Sequence, residues 1–319
     1  MKYIMKSKFA GRIEAFVAEK RAIGYQYNGS VDVLAAFDRF CIDKFPNESH
    51  MTRELCMEWA KPHKDESNAT LGNRHAPIRE FARYLNSYGE TAFILPEKLI
   101  GRRVKNIPHI FSEEEITAFW NVLDNLKYDF KFPLRHIELP VAFKLMYCCG
   151  LRPCEIYRLN ENDVNLTAGK LFVRESKGHK DRIVMLSDDM AELCREYDDR
   201  IRRIQPNRKP FFPKSNGDHY TSAWLQYNFV TLWKETGIQS ASNNFPRNYD
   251  FRHSFATHRL YHWMREGKDL SVMIPYLSEY MGHTLLSHTY YYIHLVPGMM
   301  ESMSGIDYRR FEELLPEVE

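Results

Sequence analysis

The sequence predicts a mainly α-helical chain of two domains, the second carrying a small antiparallel β-sheet. Three observations predict it. At 319 residues the chain exceeds the usual size of one domain. Apolar residues recur at helical spacing through much of both halves. Residues 170–173 and 182–186 alternate as two strands around a basic turn, Ser176-Lys177-Gly178-His179-Lys180-Asp181.

Residues 1–95 read as a four-helix module. Phe9, Ile13, Phe16 and Val17 mark the first helix, Val31, Val33, Leu34, Phe37 and Phe40 the second, and Leu55, Met57 and Trp59 the third. Ser30 and Thr52 are the expected N-caps of the second and third, because a hydroxyl there accepts from a first-turn amide that has no helical partner. The fourth helix is expected over 76–87, with Ile78, Phe81, Ala82 and Leu85 inward and Arg74, Arg79 and Arg83 on another face. One bundle is thus expected to use residues 1–95 fully. Residues 96–109 are basic, contain proline and glycine and show no apolar stripe, as expected of a linker.

The second domain, 110–298, opens on a capping box, Ser112 with Glu115 three residues on. An apolar helix over 141–149 stops at Gly150, and another begins at Glu155. After the hairpin the chain reads as helical again, broken at Pro206, Pro210, Pro213, Pro246 and Pro275. In the tail, 299–319, Met299, Met300, Met303, Phe311, Leu314 and Leu315 stand among acidic residues. That pattern fits an amphipathic helix docking on a neighbouring copy, or one packing on its own chain.

Composition is globular, with 44% hydrophobic residues, and no long apolar run or leader-like segment is present, so a soluble, cytoplasmic protein with no membrane partner is expected. The 6 cysteines lack C-x-x-C spacing, which points to reduced core thiols rather than a zinc ribbon. Net charge is only +2. Basic residues nevertheless cluster at Lys98, Arg102, Arg103 and Lys105, at Lys177, Lys180 and Arg182, and from Arg200 to Lys209. Each cluster is either a phosphate-neutralising patch or a solvated face.

The chemistry is carried by four separated residues and a turn. Cleaving a phosphodiester without a metal needs a nucleophile, positive groups on the non-bridging oxygens and an acid for the leaving oxygen. Arg152 and Arg252 suit the oxygens, since a planar guanidinium binds two at once and stays charged. Lys177 and His283 are candidate acids. Tyr292, nine residues after His283, supplies a phenol able to form a covalent ester. Tyr290 and Tyr291 are rival phenols or core rings, and Lys180 is the rival to Lys177. His258 and His262 have the i, i+4 spacing of a zinc pair, but Arg259 stands where a zinc protease needs glutamate, so a helix-surface pair is expected.

Four boxes in order then resemble the tyrosine recombinases, the phage integrase and Xer-type family. Gly150-Leu151-Arg152-Pro153-Cys154-Glu155-Ile156 resembles the first arginine box and Ser176 to Arg182 the lysine hairpin. Asp250-Phe251-Arg252-His253-Ser254 resembles the second arginine box, and Gly282-His283 through Tyr292-Ile293-His294 the histidine and nucleophile box. The resemblance implies an N-terminal four-helix core-DNA-binding domain and a C-terminal tyrosine-recombinase catalytic domain closing as a clamp on duplex DNA. It also implies a tetramer on two sites, with accessory DNA-binding proteins as further partners and no metal, ATP or other cofactor. Tyr292 would form a 3′-phosphotyrosine, Arg152 and Arg252 would hold the phosphate, Lys177 would protonate the 5′ oxygen, His283 would bond the phosphate, and Glu155 would orient the site. Arg102, Arg103, Lys105, Lys180, Arg74, Arg79 and Arg83 would contact DNA. Two features depart from the family. Tyr249 stands where histidine is usual, and the longer Arg252 to His283 spacing implies an insertion near 261–265 or 274–278. A type IB topoisomerase-like nicking and closing enzyme and a DNA-binding accessory protein are the alternatives.

Overall fold

In the computed structural model the described residues are 3–101, 107–174, 181–238 and 245–295. The chain divides between residues 106 and 107 into two compact units.

The first unit contains α1 (Ala10–Ala22), α2 (Asn28–Lys44), α3 (Arg53–Trp59) and α4 (Asn68–Ser87). Their inward faces meet in an aromatic cluster in which Phe16 packs on Phe81 at 5.6 Å and Phe37 meets Trp59 edge-on at 5.3 Å. Each such ring stabilises the unit by roughly 1.5–3 kcal/mol of apolar burial. Thr52 caps α3, accepting from Leu55 N–H at 3.3 Å. Ser30 is not a cap: α2 starts two residues earlier, after Tyr27, whose left-handed backbone (φ 54°) turns the chain while its ring packs edge-on against Phe16. The fourth helix is longer than expected, because Ser67 caps it and Pro77 lies inside it rather than at its start. Of its three arginines only Arg83 is exposed. Arg74 folds inward to bond Glu66, the Trp59 carbonyl and the Lys61 carbonyl, and Arg79 is half-buried with Nη1 in the interior.

The second unit runs through α5 (Glu113–Asp124), α6 (Arg135–Cys148), α7 (Pro153–Arg158), β1 (Val164–Asn165), β2 (Lys170–Val173) and β3 (Arg182–Met185). It continues with α8 (Asp188–Ile204), α9 (Ser222–Glu235), α10 (Asp250–Arg265), α11 (Leu270–Met281) and α12 (Ser287–Tyr290), ending in a 3-10 turn, Tyr291–Leu295. The sheet is antiparallel in the order β1-β2-β3, with Leu171 opposite both Val164 and Val184. β1 escapes notice in the sequence because two residues carry no periodicity.

The α5 capping box forms as expected. Two helices override their prolines: α6 begins at Arg135 and holds Pro140, and α11 runs through Pro275. Residues 261–265 and 274–278, the expected insertions, lie within α10 and α11, so neither is an added loop. The core of the unit centres on Phe119, Phe143, Phe229, Trp233 and Phe251. A smaller cluster joins α10, α11 and the terminal turn through Leu260, Ile274, Leu277, Met281, Tyr292 and Ile293. No helix among the described residues is long and apolar enough to cross a membrane, and no disulfide joins the cysteines.

Candidate active site

The site assembles on the C-terminal end of α11. A helix leaves its last carbonyls without intrahelical partners, and its dipole makes that end attractive to cations. Here all of them are taken. Gly282, left-handed at φ 63°, turns the chain so that its own N–H and that of His283 reach back to the Glu279 and Ser278 carbonyls, at 2.9 and 3.0 Å. The next three carbonyls each bind an arginine from a different segment: Tyr280 accepts from Arg182 Nε at 2.9 Å, Met281 from Arg252 Nη2 at 2.5 Å and Gly282 from Arg152 Nη2 at 3.2 Å.

Arg152 sits where α6 turns into α7. Gly150, at φ 59°, makes the turn, and an added Cβ would lie 2.4 Å from Phe255 Cδ1. Pro153 then starts α7, leaving Arg152 as its cap residue. The Glu155 carboxylate accepts from the Arg152 backbone N–H and from Arg152 Nη1, both at 2.8 Å. It also accepts two bonds from Arg182, at 2.8 Å each. Burial pushes the Glu155 carboxyl up, but the Arg182 bonds, reinforced by Arg252, hold it down at about 2. Glu155 is therefore an anion bridging the first arginine box to the base of the lysine hairpin. Sequence reasoning put Arg182 in the lysine-hairpin box and its basic cluster but gave it no role in the site. Its partners stand 27 and 98 residues away, and a lone arginine opening a strand carries no local signal.

Arg252 lies in the first turn of α10, fully buried, with Nη1 donating to the Gly150 carbonyl at 2.6 Å. Burial and the neighbouring Arg152 pull its guanidinium down to about 10. Among the described residues it makes no ion pair, and its Nε has no hydrogen-bond partner. Three guanidiniums thus share one carboxylate, which leaves this end of α11 electropositive.

His283 Nδ1 pairs with the Thr289 hydroxyl at 2.8 Å, and its ring lies 6.1 Å from that of Tyr292, nearly parallel. Burial, aided by Arg252 and Arg152, drives its imidazole down to about 3. The 3-10 turn carries Tyr292 inward and leaves Tyr291 at the surface, while Tyr290 packs on the small cluster. Burial raises the Tyr292 phenol to about 12 against the pull of both arginines. Arg152, Tyr249, His253, Gly282, His283, His288, Tyr291 and Tyr292 line one cavity of about 220 Å³, and Arg252 lies within electrostatic reach of Arg152. Tyr249, just before α10, adds its phenol to the groups that support the Arg152 charge.

The structure therefore brings together Arg152, Glu155, Arg252, His283, Tyr292 and Tyr249. Lys177, Lys180, Arg102, Arg103, Lys105 and the tail 296–319 lie outside the described residues. His258 turns its Nδ1 to the Tyr147 hydroxyl at 3.1 Å, and among the described residues no group of side chains is arranged to hold a metal ion.

Comparison with known proteins shows the family. Residues 110–298 match the model described as the phage integrase family. A curated protein named putative integrase/recombinase y4rE, from Sinorhizobium fredii, is 28% identical over 291 residues, 90% of this chain and 92% of that one. Tyrosine recombinase XerC of Halalkalibacterium halodurans is 29% identical over 245 residues, 73% of each chain. Among solved structures, XerH site-specific recombinase bound to palindromic difH substrate aligns at a TM-score of 0.62 and 21% identity, over 88% of this chain and 79% of that one. The Tn1549 transposon integrase in complex with transposon right end DNA aligns at 0.64 and 14%, over 88% and 94%. The chain belongs to the phage integrase family, the tyrosine recombinases, and is a DNA strand-transferring enzyme.

Proposed function

We propose that this recombinase cleaves and rejoins duplex DNA at specific sites through a 3′-phosphotyrosine on Tyr292. One observation carries the reading: three arginines and a histidine converge on the end of α11 beside a buried phenol, and among the described residues a single carboxylate, Glu155, pairs with these arginines. A scissile phosphate would supply the missing anion. Arg152 and Arg252 would hold its non-bridging oxygens and oppose the charge that builds in the transition state. His283, neutral across the working pH range, would donate a hydrogen bond to the phosphate. Tyr249 would donate another but bring no positive charge. Lys177, with Lys180 as its rival on the same turn, would protonate the leaving 5′ oxygen, and Arg182 and Glu155 would anchor the strand that leads from that turn.

A 5′ hydroxyl from a second duplex then attacks the phosphotyrosine and reverses the chemistry, so exchange needs no external energy source. DNA in the XerH and Tn1549 integrase structures supports duplex DNA as the partner, and exchange between two sites implies four active sites in a tetramer. Residues 1–95 would form the core-DNA-binding domain, joined through 96–109 to the catalytic domain. The test is a nicked duplex that traps the covalent intermediate. Wild-type protein is expected to yield an adduct mapping to Tyr292 and Tyr292→Phe none; an adduct that persists in that variant and vanishes in Tyr291→Phe would reassign the nucleophile. Supercoil relaxation without sequence preference or strand exchange would instead make the chain a nicking and closing enzyme.

A further inference from the structure

The proton on the attacking phenol needs an acceptor. Tyr292 is neutral in the free protein, and its phenol must lose that proton as the oxygen bonds to phosphorus. Tyr249 offers no basic nitrogen, and His283 has Nδ1 engaged with Thr289. Two further imidazoles reach the cavity, and of these His288 packs edge-on against His283 with ring centroids 6.0 Å apart. His253, one residue after Arg252 on α10, packs against both phenols, its ring centroid 5.6 Å from that of Tyr292 and 5.1 Å from that of Tyr249. Its Nδ1 is buried and has no hydrogen-bond partner among the described residues. A buried nitrogen left in that state costs about 1–3 kcal/mol, and such exceptions call for a reason. Burial, which outweighs the nearby Asp250 carboxylate, lowers this imidazole to about 4, and Arg247 and Arg252 add to the effect. The ring is therefore unprotonated in the free protein, and a phosphate anion beside Arg252 would raise its basicity.

We propose that His253 is the general base for Tyr292. This rests on Tyr292 being the nucleophile. In cleavage the Tyr292 oxygen forms its bond to phosphorus while the phenolic proton passes to a ring nitrogen of His253. The bond from phosphorus to the 5′ oxygen breaks, and that oxygen leaves as a hydroxyl with a proton from the acid. In rejoining, the 5′ hydroxyl gives its proton back to that acid as it attacks, and protonated His253 returns its proton to the departing phenolate. Protons and charge balance over the cycle with no further reactant.

The experiment compares His253→Ala and His253→Gln with wild type on the nicked trapping duplex. A second substrate carries sulfur in place of the scissile 5′ oxygen, because a thiolate leaves without needing a proton. Both variants should bind the duplex as wild type does and form the Tyr292 adduct at least about 100-fold more slowly. The sulfur substrate should leave that defect in place, and added imidazole should restore part of the rate in His253→Ala. Glutamine fills similar space with no base, so a wild-type rate in His253→Gln overturns the proposal even if alanine disturbs the fold. Full recovery on the sulfur substrate also overturns it, since His253 would then act on the leaving group. An adduct surviving in Tyr292→Phe sinks the underlying reading instead, whatever the His253 variants do.

Discussion

Burying a guanidinium without an ion pair is unfavourable, and among the described residues Arg252 makes none. Its contacts are two carbonyls, and Arg152 repels it. An oxyanion entering the cavity would relieve both arginines, so tetrahedral anions should stabilise the folded state by mass action. In thermal melts at matched ionic strength, sulfate is expected to raise the wild-type midpoint more than chloride does, and this difference should shrink in Arg152→Gln. Equal responses of wild type and variant would reduce the effect to general salting out and leave the cavity without an anion site. Arg152 and Arg252 were legible in the sequence because their boxes are contiguous. Arg182 was not, since only the folded chain brings it to Glu155 and to the end of α11.

Elements show why local signals succeed or fail. Thr52 and Ser112 announced their helices because cap chemistry is confined to a few residues, whereas Pro77, Pro140 and Pro275 misled because tertiary packing offsets one lost helical hydrogen bond. Gly150 is a signal whose strength only the fold reveals. Gly150→Ala would force a left-handed alanine, unfavourable by about 1–2 kcal/mol, and drive its methyl into Phe255, with overpacking adding about 1–3 kcal/mol. A lowered melting point with lost cleavage is expected, and an unchanged melt would show that Phe255 moves aside freely. On α6, Glu138 is fully buried and bonded by the Tyr220 hydroxyl at 2.9 Å, and burial raises its carboxyl to about 8. In the unfolded chain it ionises near the ordinary carboxyl value, 4.5. Below that pH both states are protonated and no penalty exists; as pH climbs from there towards 8 the unfolded state loses its proton first and stability falls, by an amount on the order of a few kcal/mol. Glu138→Gln should therefore gain over wild type between pH 5 and pH 8 in chemical denaturation, and parallel pH profiles would contradict the buried neutral acid.

At the scale of the whole molecule, the two-domain, mainly helical plan was legible because length and helical periodicity are averages over many residues and survive local errors. The active cavity was half legible: its ends are motifs, but its assembly on the carbonyls of α11 is purely three-dimensional. The two units keep separate buried clusters, one around Phe16, Phe37 and Phe81 and the other around Phe119, Phe143 and Phe229. Separate cores predict separate cooperativity, because removing a ring destabilises the elements packed on it and not those with a core of their own. Phe81→Ala and Phe143→Ala each delete a fully buried ring, a loss of about 3–5 kcal/mol. Scanning calorimetry of the intact protein should resolve two transitions, with Phe81→Ala lowering one and Phe143→Ala the other. If either variant moves both transitions equally, the units fold as one, and stability in residues 3–101 then sets the stability of the active site as well.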